Sequence, residues 1–171
     1  FPHFDSPSIF ASTLDDTKGG FFRISPRDGD GGTHKQFYWP DTNVLVTRFL
    51  SADGVAELVD YMPGLDEDTD EEERQHRVVR RLSVVRGSMN FRLECRPAFD
   101  YARSPAEVEI TDRGVLFHGP DLHLALSGEP EFREAPAEGH TPPGALSDFP
   151  LKENESLTFV LHQVPEGSGG S

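Results

Sequence analysis

The chain is short of cysteine, of basic side chains and of long apolar runs. Cys95 is the only cysteine in 171 residues. No internal disulfide can form, which fits a reducing compartment such as the cytoplasm. Sixteen Lys and Arg face 30 Asp and Glu, a formal net charge of -14. That acidic excess disfavours a nucleic-acid surface, which rests on clustered cations, and equally disfavours an anionic membrane face. No apolar run approaches the ~20 residues that span a bilayer. The chain opens on Phe1-Pro2-His3, with no basic leader and no Met, so a cut or processed start is expected. There is no Gly-x-Ser-x-Gly string, so no serine nucleophile is set on an elbow. Among seven His there is no His-x-His and no His-Glu-x-x-His. No catalytic residue, metal ligand set or cofactor is therefore assigned. No repeat of fixed period occurs.

What is present is a series of short β-strand signals punctuated by turns, in a length that suits one domain. The stretch Tyr38 to Pro63 reads as a central hairpin. Its arms are rich in Val, Leu, Phe and Thr, and Ser51-Ala52-Asp53-Gly54 is the turn, with Gly54 free to adopt positive φ. Val44, Val46 and Leu50 fall on one face of its first arm and Leu45 and Phe49 on the other, the mark of a strand covered on both sides. Ser6 and Pro7 open a short helix carrying Ile9, Phe10 and Leu14 on one side. Phe21 to Ser25 reads as a strand, and Asp28 to Gly32 as a loop too irregular to cradle phosphate.

Arg77 to Val85 and Ser88 to Arg96 read as a second hairpin turning at Arg86-Gly87. In it Met89, Phe91, Leu93 and Cys95 alternate with Asn90, Arg92, Glu94 and Arg96, one buried and one wet face. Cys95 falls on the apolar face, with no His or Lys beside it to activate a thiolate. Further strands are expected at Ala106–Ile110, Val115–His118, Leu122–Ser127, around Phe132, and at Leu157–Leu161. Ala135 to Pro150 reads as a long Pro/Gly-rich loop. Asp66-x-Asp68-x-Asp70 mimics the start of a calcium loop, but Glu71 stands where glycine is needed and Arg77 where the closing Glu belongs. The Asp66–Arg74 stretch is thus a solvated loop. The pattern predicts an all-β protein, an antiparallel sandwich or barrel with one short helix.

Three segments mix aromatic rings with Asp, Asn and Arg near strand ends. They are Phe4-Asp5-Ser6-Pro7-Ser8, Tyr38-Trp39-Pro40-Asp41-Thr42-Asn43 and Arg96-Pro97-Ala98-Phe99-Asp100-Tyr101-Ala102-Arg103. Such groups serve sugar recognition and domain interfaces, and the same strings are ordinary turn chemistry. Asp5, Tyr38, Trp39, Asp41, Asn43, Asp100, Tyr101 and Arg103 are the candidate cleft or interface residues, expected on one side of the domain. Arg103 could fork onto Asp5 or Asp100.

Those three segments, with Leu14-Asp15, Gly19-Gly20, Val44 to Phe49, Val79-Arg80-Arg81 and Glu94-Cys95, occur in an order that resembles one known domain. It is the N-terminal domain of trehalase-like and glucoamylase-like enzymes of glycoside hydrolase family 15. The resemblance spans most of residues 1–130. It implies a β-sandwich, supersandwich-like, expected over residues 1–165, while the Gly/Ser composition of residues 166–171 itself reads as a flexible linker or tail. In that family the domain precedes an (α/α)6 helical barrel that supplies the catalytic glutamates. Here the barrel and a usual first pair of strands are missing. The implied role is a non-catalytic domain that stabilises the barrel and shapes its cleft for α-glucosides. A free-standing carbohydrate-binding module, with Tyr38, Trp39 and Tyr101 as a stacking platform, is the alternative.

Overall fold

Residues 77–96 form one strand of 20 residues that takes part in both sheets of the fold. The computed structural model describes residues 6–27, 32–64 and 76–164. Asp5, most of the Asp28–Gly32 loop, all of the acidic Asp66–Arg74 loop and the 166–171 tail lie outside the described residues. The strands are β1 (Phe21–Pro26), β2 (Thr33–Tyr38), β3 (Leu45–Leu50), β4 (Gly54–Tyr61) and β5 (Arg77–Arg96). A single turn, α1 (Phe99–Ala102), precedes β6 (Ser104–Pro105). Then come β7 (Glu107–Thr111), β8 (Gly114–His118), β9 (His123–Ser127), β10 (Arg133–Ala135), β11 (Gly144–Lys152) and β12 (Ser156–Val164). The described fold is all-β and antiparallel.

The expected second hairpin is corrected to this one strand. The first half of β5 lies between β4 and β12, the second half between β1 and β11, and the halves do not pair with each other. Gly87, at φ +80, sits between them. Val55 opposes Arg86 and Ala56 opposes Val84, so Val85 is an extra, bulged residue. A bulge followed by a left-handed glycine bends a strand without reversing its pairing. The larger sheet runs β2-β3-β4-β5-β12-β9-β8-β7, and the smaller one comprises β1, the second half of β5, β11 and β10.

The two sheets close on an apolar core. Phe91 of the smaller sheet touches Phe49 of the larger at 6.2 Å between ring centroids, and Phe149 meets Phe159 at 5.6 Å. Leu58, Leu82, Leu93, Phe117, Leu124, Leu126 and Leu161 complete the centre, all buried. The alternation of residues 89–95 is realised, with Met89, Phe91, Leu93 and Cys95 buried. Burial pushes the Cys95 thiol far above its ordinary pKa, so it is an inert core group. Arg96 departs from the expected wet face. It is buried, donating to the carbonyls of Pro136 (2.9 Å) and Pro142 (2.7 Å) while pairing with Glu94. Those bonds satisfy a guanidinium that burial would otherwise destabilise.

Other expectations also change. The hairpin of β3 and β4 forms, closed by Ser51 N–H to Gly54 O at 3.0 Å. Gly54, however, has no positive φ. It is needed because a Cβ there would press on the Arg86 carbonyl and Met89. β3 is next to the edge strand, not central, although Val46 and Phe49 are both buried on its opposite faces. Residues 6–20 form turns rather than a helix. Ile9 O accepts from Ala98 N, Ser8 O from Tyr101 N, and Ala11 N donates to Gly19 O, so long-range partners take the groups a short helix would use. Phe132 is buried just before β10 rather than within a strand. Only 136–143 of the expected 135–150 loop lacks a main strand, because β11 starts at Gly144 and contains Pro150. Pro150 is tolerated because β10 pairs with β11 only as far as Leu146, leaving that edge of β11 open beyond it among the described strands.

On the outside of the smaller sheet, Asp148 accepts from Arg92 (2.7 Å) and Arg133 (3.0 Å), with Arg27 at 3.8 Å. The Arg92 hydrogen bond, above all, holds its carboxyl down at about 2. A carboxyl lowered in the folded state stabilises fully above its unfolded pKa of ~3.9 and loses that contribution as pH falls through the folded value. Acid titration of stability should therefore show a loss between about pH 4 and pH 2 that Asp148→Asn flattens; an unchanged profile would remove Asp148 from the acid response.

Two substitutions test the core and the bend by denaturant unfolding. Phe91→Ala should cost about 3–5 kcal/mol, the range for a deleted buried aromatic. Gly87→Ala should cost more than about 1 kcal/mol, since its Cβ would strike the Asp53 carbonyl in a left-handed backbone. Losses below roughly 0.5 kcal/mol in either would contradict this packing.

Candidate functional site

The bend in β5 brings its two ends to the same end of the sandwich. Arg80, near the start, grips Asp60 through Nε and Nη2, each at 2.9 Å, and donates Nη1 to the Phe22 carbonyl at 2.5 Å. Its guanidinium also stands 4.6 Å from the centre of the Phe22 ring. Phe22 pairs with Cys95, near the other terminus of β5. One side chain thus spans both sheets with charge-assisted bonds and a cation–π contact.

The register sends three connections out of this end. Tyr38 opposes Leu45, Leu45 opposes Asp60, and Asp60 opposes Arg80, so the 39–44 turn and residues 62–64 project beyond Arg80. The 97–103 segment leaves from Arg96. Its buried Phe99 packs on Gly119, in the turn joining β8 to β9, where a Cβ would meet the ring. β12 also finishes here, with Val164 opposite His123.

The candidate residues stand out from this end. Tyr38, Trp39 and Tyr101 are 65%, 57% and 54% exposed. Tyr61, Met62 and Phe37 are also exposed. The 39–44 turn is tied by Trp39 N to Val44 O (2.8 Å) and by Thr42 Oγ to Trp39 O (2.9 Å). These bonds leave Asp41 and Asn43 directed to solvent, with Asp41 at φ +58. In α1, Asp100, Tyr101 and Ala102 have φ of +49, +53 and +66. It is a left-handed turn, not an ordinary helix, held by Tyr101 N to Ser8 O (3.3 Å) and Arg103 N to Asp100 O (3.1 Å). Non-glycine residues in this region each cost of order 1–3 kcal/mol and concentrate where structure serves function. Asn154, in the turn before β12, is the one remaining described non-glycine residue with positive φ.

Arg103 lies 3.8 Å from Asp100, both exposed. Asp5 is outside the described residues. The Tyr38–Asn43 and Asp100–Arg103 groups share an end, but no hydrogen bond or ion pair is described between them. Residues that the sequence reading missed are Arg80 and Asp60, which clamp the end. Arg80 was legible only as part of a basic pair, and Asp60 as one acid among thirty.

Two of the described histidines meet across the turn between β8 and β9. His118 and His123 meet Nδ1 to Nδ1 at 3.2 Å, and Glu109 lies 3.2 Å from His118 Nε2. Among the described residues, no group of three or more metal-binding side chains is gathered. His162 is half-buried. Burial first, then the charge of Arg77, lowers its pKa.

Arg103→Ala should change the stability of this chain by less than about 1 kcal/mol in denaturant unfolding, as for an exposed ion pair. A loss of several kcal/mol would make Arg103 the internal support of its own turn.

Comparison with known proteins bears out the resemblance carried by the order of segments. A family profile described as "Trehalase-like, N-terminal" matches residues 1–130. A trehalase of Thermoplasma acidophilum is 32% identical over 130 residues, which cover 75% of this chain and 22% of that protein. A trehalase of Thermoplasma volcanium is 30% identical over 159 residues, covering 92% of this chain and 22% of that one. Trehalase 1 of Sulfolobus acidocaldarius is 31% identical over 144 residues, 84% of this chain and 23% of the relative. The chain thus spans less than a quarter of the length of these relatives.

Proposed function

The chain belongs to the trehalase-like N-terminal family, and from that premise we propose that it is a non-catalytic accessory domain of an α-glucoside hydrolase of trehalase or glucoamylase type, family 15. Its partner is the helical-barrel catalytic domain of the same polypeptide. It docks by the end that carries Tyr38, Trp39, Tyr61, Met62 and Tyr101, and there it shapes the rim of the partner's sugar cleft.

One observation carries this reading. Among the described residues, six of the nine large apolar side chains that stand exposed, namely Phe37, Tyr38, Trp39, Tyr61, Met62 and Tyr101, belong to this end. Contiguous exposed aromatics mark interaction surfaces, and Tyr and Trp are favoured there because a ring is buried while a polar atom is retained. Two features support the choice of a covalently linked partner. The relatives are more than four times as long as the matched segment. The last strand, β12, delivers the chain to the same end. The left-handed turns suit such a surface, since strained backbone is kept where it presents side chains to a partner.

In the intact parent protein, the double substitution Trp39→Ala with Tyr101→Ala should weaken domain association by about 2 kcal/mol or more, as for truncated interface anchors. It should lower the parent's melting temperature or its turnover, while the isolated chain loses under roughly 0.5 kcal/mol, as at other surface sites. The isolated chain should release no glucose from trehalose. Equal loss of stability in both forms, or glucose release by the isolated chain, would defeat the reading.

A further inference from the structure

We propose that the cleft between β1 and the inner face of β2, β3 and β4 is a binding site for a neutral sugar of one or two pyranose rings. This rests on the sugar-hydrolase context of the accessory-domain reading, but on different residues.

The larger sheet overhangs the smaller one. On this flank the smaller sheet ends at β1, while the larger continues through β4, β3 and β2. The overhang leaves a cleft of about 660 Å³. That lies within the roughly 300–1,000 Å³ of small-molecule sites. Phe10, Phe21 and Phe22 form one wall, and His34, Gln36, Thr47, Asp60 and Arg80 the polar part of the floor.

The pattern of β2 is inverted for a sandwich strand. Gln36 pairs with Thr47, and Thr47 with the core residue Leu58, so Gln36 and His34 face inward. Phe37 falls on the opposite face, level with Val46 and Val59. Sandwich strands ordinarily turn apolar residues inward and polar ones outward. All six residues of β2 are exposed, so the inward polar groups meet solvent in the cleft. An apolar strand laid over them would bury unpaired polar groups at a cost. Strand addition along β1 is also obstructed. Pro26 has no N–H to offer, and the Phe22 carbonyl is already taken by Arg80.

The polar groups are pre-set and suit hydroxyls. Gln36 Nε2 donates to Thr47 Oγ at 3.0 Å, which fixes the amide and leaves its carbonyl as an acceptor. Asp60 and Arg80 are locked in a bidentate pair, nearly neutral as a unit, with lone pairs and N–H groups left over. Adjacent acceptors and donors of this kind match vicinal hydroxyls, while the phenyl walls cover the C–H faces of a ring. An anion is the poorer fit, because the Arg80 charge is already matched by Asp60. Arg23, the other cation of the lining, is drawn over the Phe21 ring at 4.6 Å.

Calorimetric titration of the 171-residue chain with trehalose, maltose and inorganic phosphate tests the site. Saturable binding of trehalose or maltose is expected with Kd on the order of 1 mM. It should weaken about fivefold to tenfold in Gln36→Ala, which loses one neutral hydrogen-bonding group. Thr47→Val, which releases the Gln36 amide, should weaken it in the same sense. Circular dichroism melts establish that each variant is folded. Trp39→Ala should leave the affinity unchanged, which separates this site from the docking end. No saturable binding up to about a hundred times the expected Kd, binding of phosphate alone, an unaltered affinity in folded Gln36→Ala, or a loss in Trp39→Ala would each overturn the proposal. Failure of domain docking in the parent protein would not touch it, because this titration needs no partner.

Discussion

Arg80 is the point at which the two layers of the molecule are fastened. A 20-residue strand that changes sheet must fold back across the core, and nothing in its own hydrogen bonding brings its ends together. The guanidinium does so with three donated bonds and a ring contact, reaching Asp60 in one layer and Phe22 in the other. Because the pair is mostly shielded from water, each bond is stronger than it would be on an open surface. The opposite end is fastened differently. There Gly87 lets three backbones approach one another: Ser88 N donates to Asp53 O, and Glu153 N to Gly87 O. One end is held by charge and the other by the absence of a side chain. The loops at the charged end are thereby set on a rigid base, which is what a presenting surface requires.

Much of the architecture was legible in the sequence. Strict period-two alternation at Met89–Cys95, and Leu at every second position in Leu122–Leu126 and Leu, Phe, Leu in Leu157–Leu161, placed core strands correctly, because each sets a row of large apolar residues on one face. The errors share a physical cause. Gly87 was read as a turn and Pro150 as loop, since both residues usually end strands. Here the glycine supplies a bend within a continuing ladder, and the proline lies on an unpaired edge. Those outcomes depend on which strands arrive from elsewhere in the chain, which local pattern does not encode. The same holds for residues 6–14, where helical spacing lost to backbone bonds with Gly19, Ala98 and Tyr101.

The candidate end was legible in part. Tyr38, Trp39 and Tyr101 could be singled out because aromatic rings beside turn residues are unusual for simple loops. Their common location could not be derived, since it follows from the doubling back of β5. Strand β2 was not read from the sequence, because Thr33-His34-Lys35-Gln36 has no apolar face, and which side turns inward follows only from its register with Thr47 and Leu58.

The position of β12 has a consequence for how the domain is made. The last of the described strands does not lie at an edge. It is inserted between β5 and β9, so β7, β8 and β9 join the larger sheet's ladder only through it. Until residues 156–164 have left the ribosome, the meander from 107 to 127 has no ladder partner in the rest of the larger sheet among the described strands. Such closure by distant segments is slow, because the entropy of a long loop is lost before any contact rewards it. The match to the family profile ends at residue 130, but the cooperative folding unit extends at least to Val164. A chain released at the family boundary would lack both β11 and the strand that locks the sheet, and would expose the unpaired edges that favour aggregation.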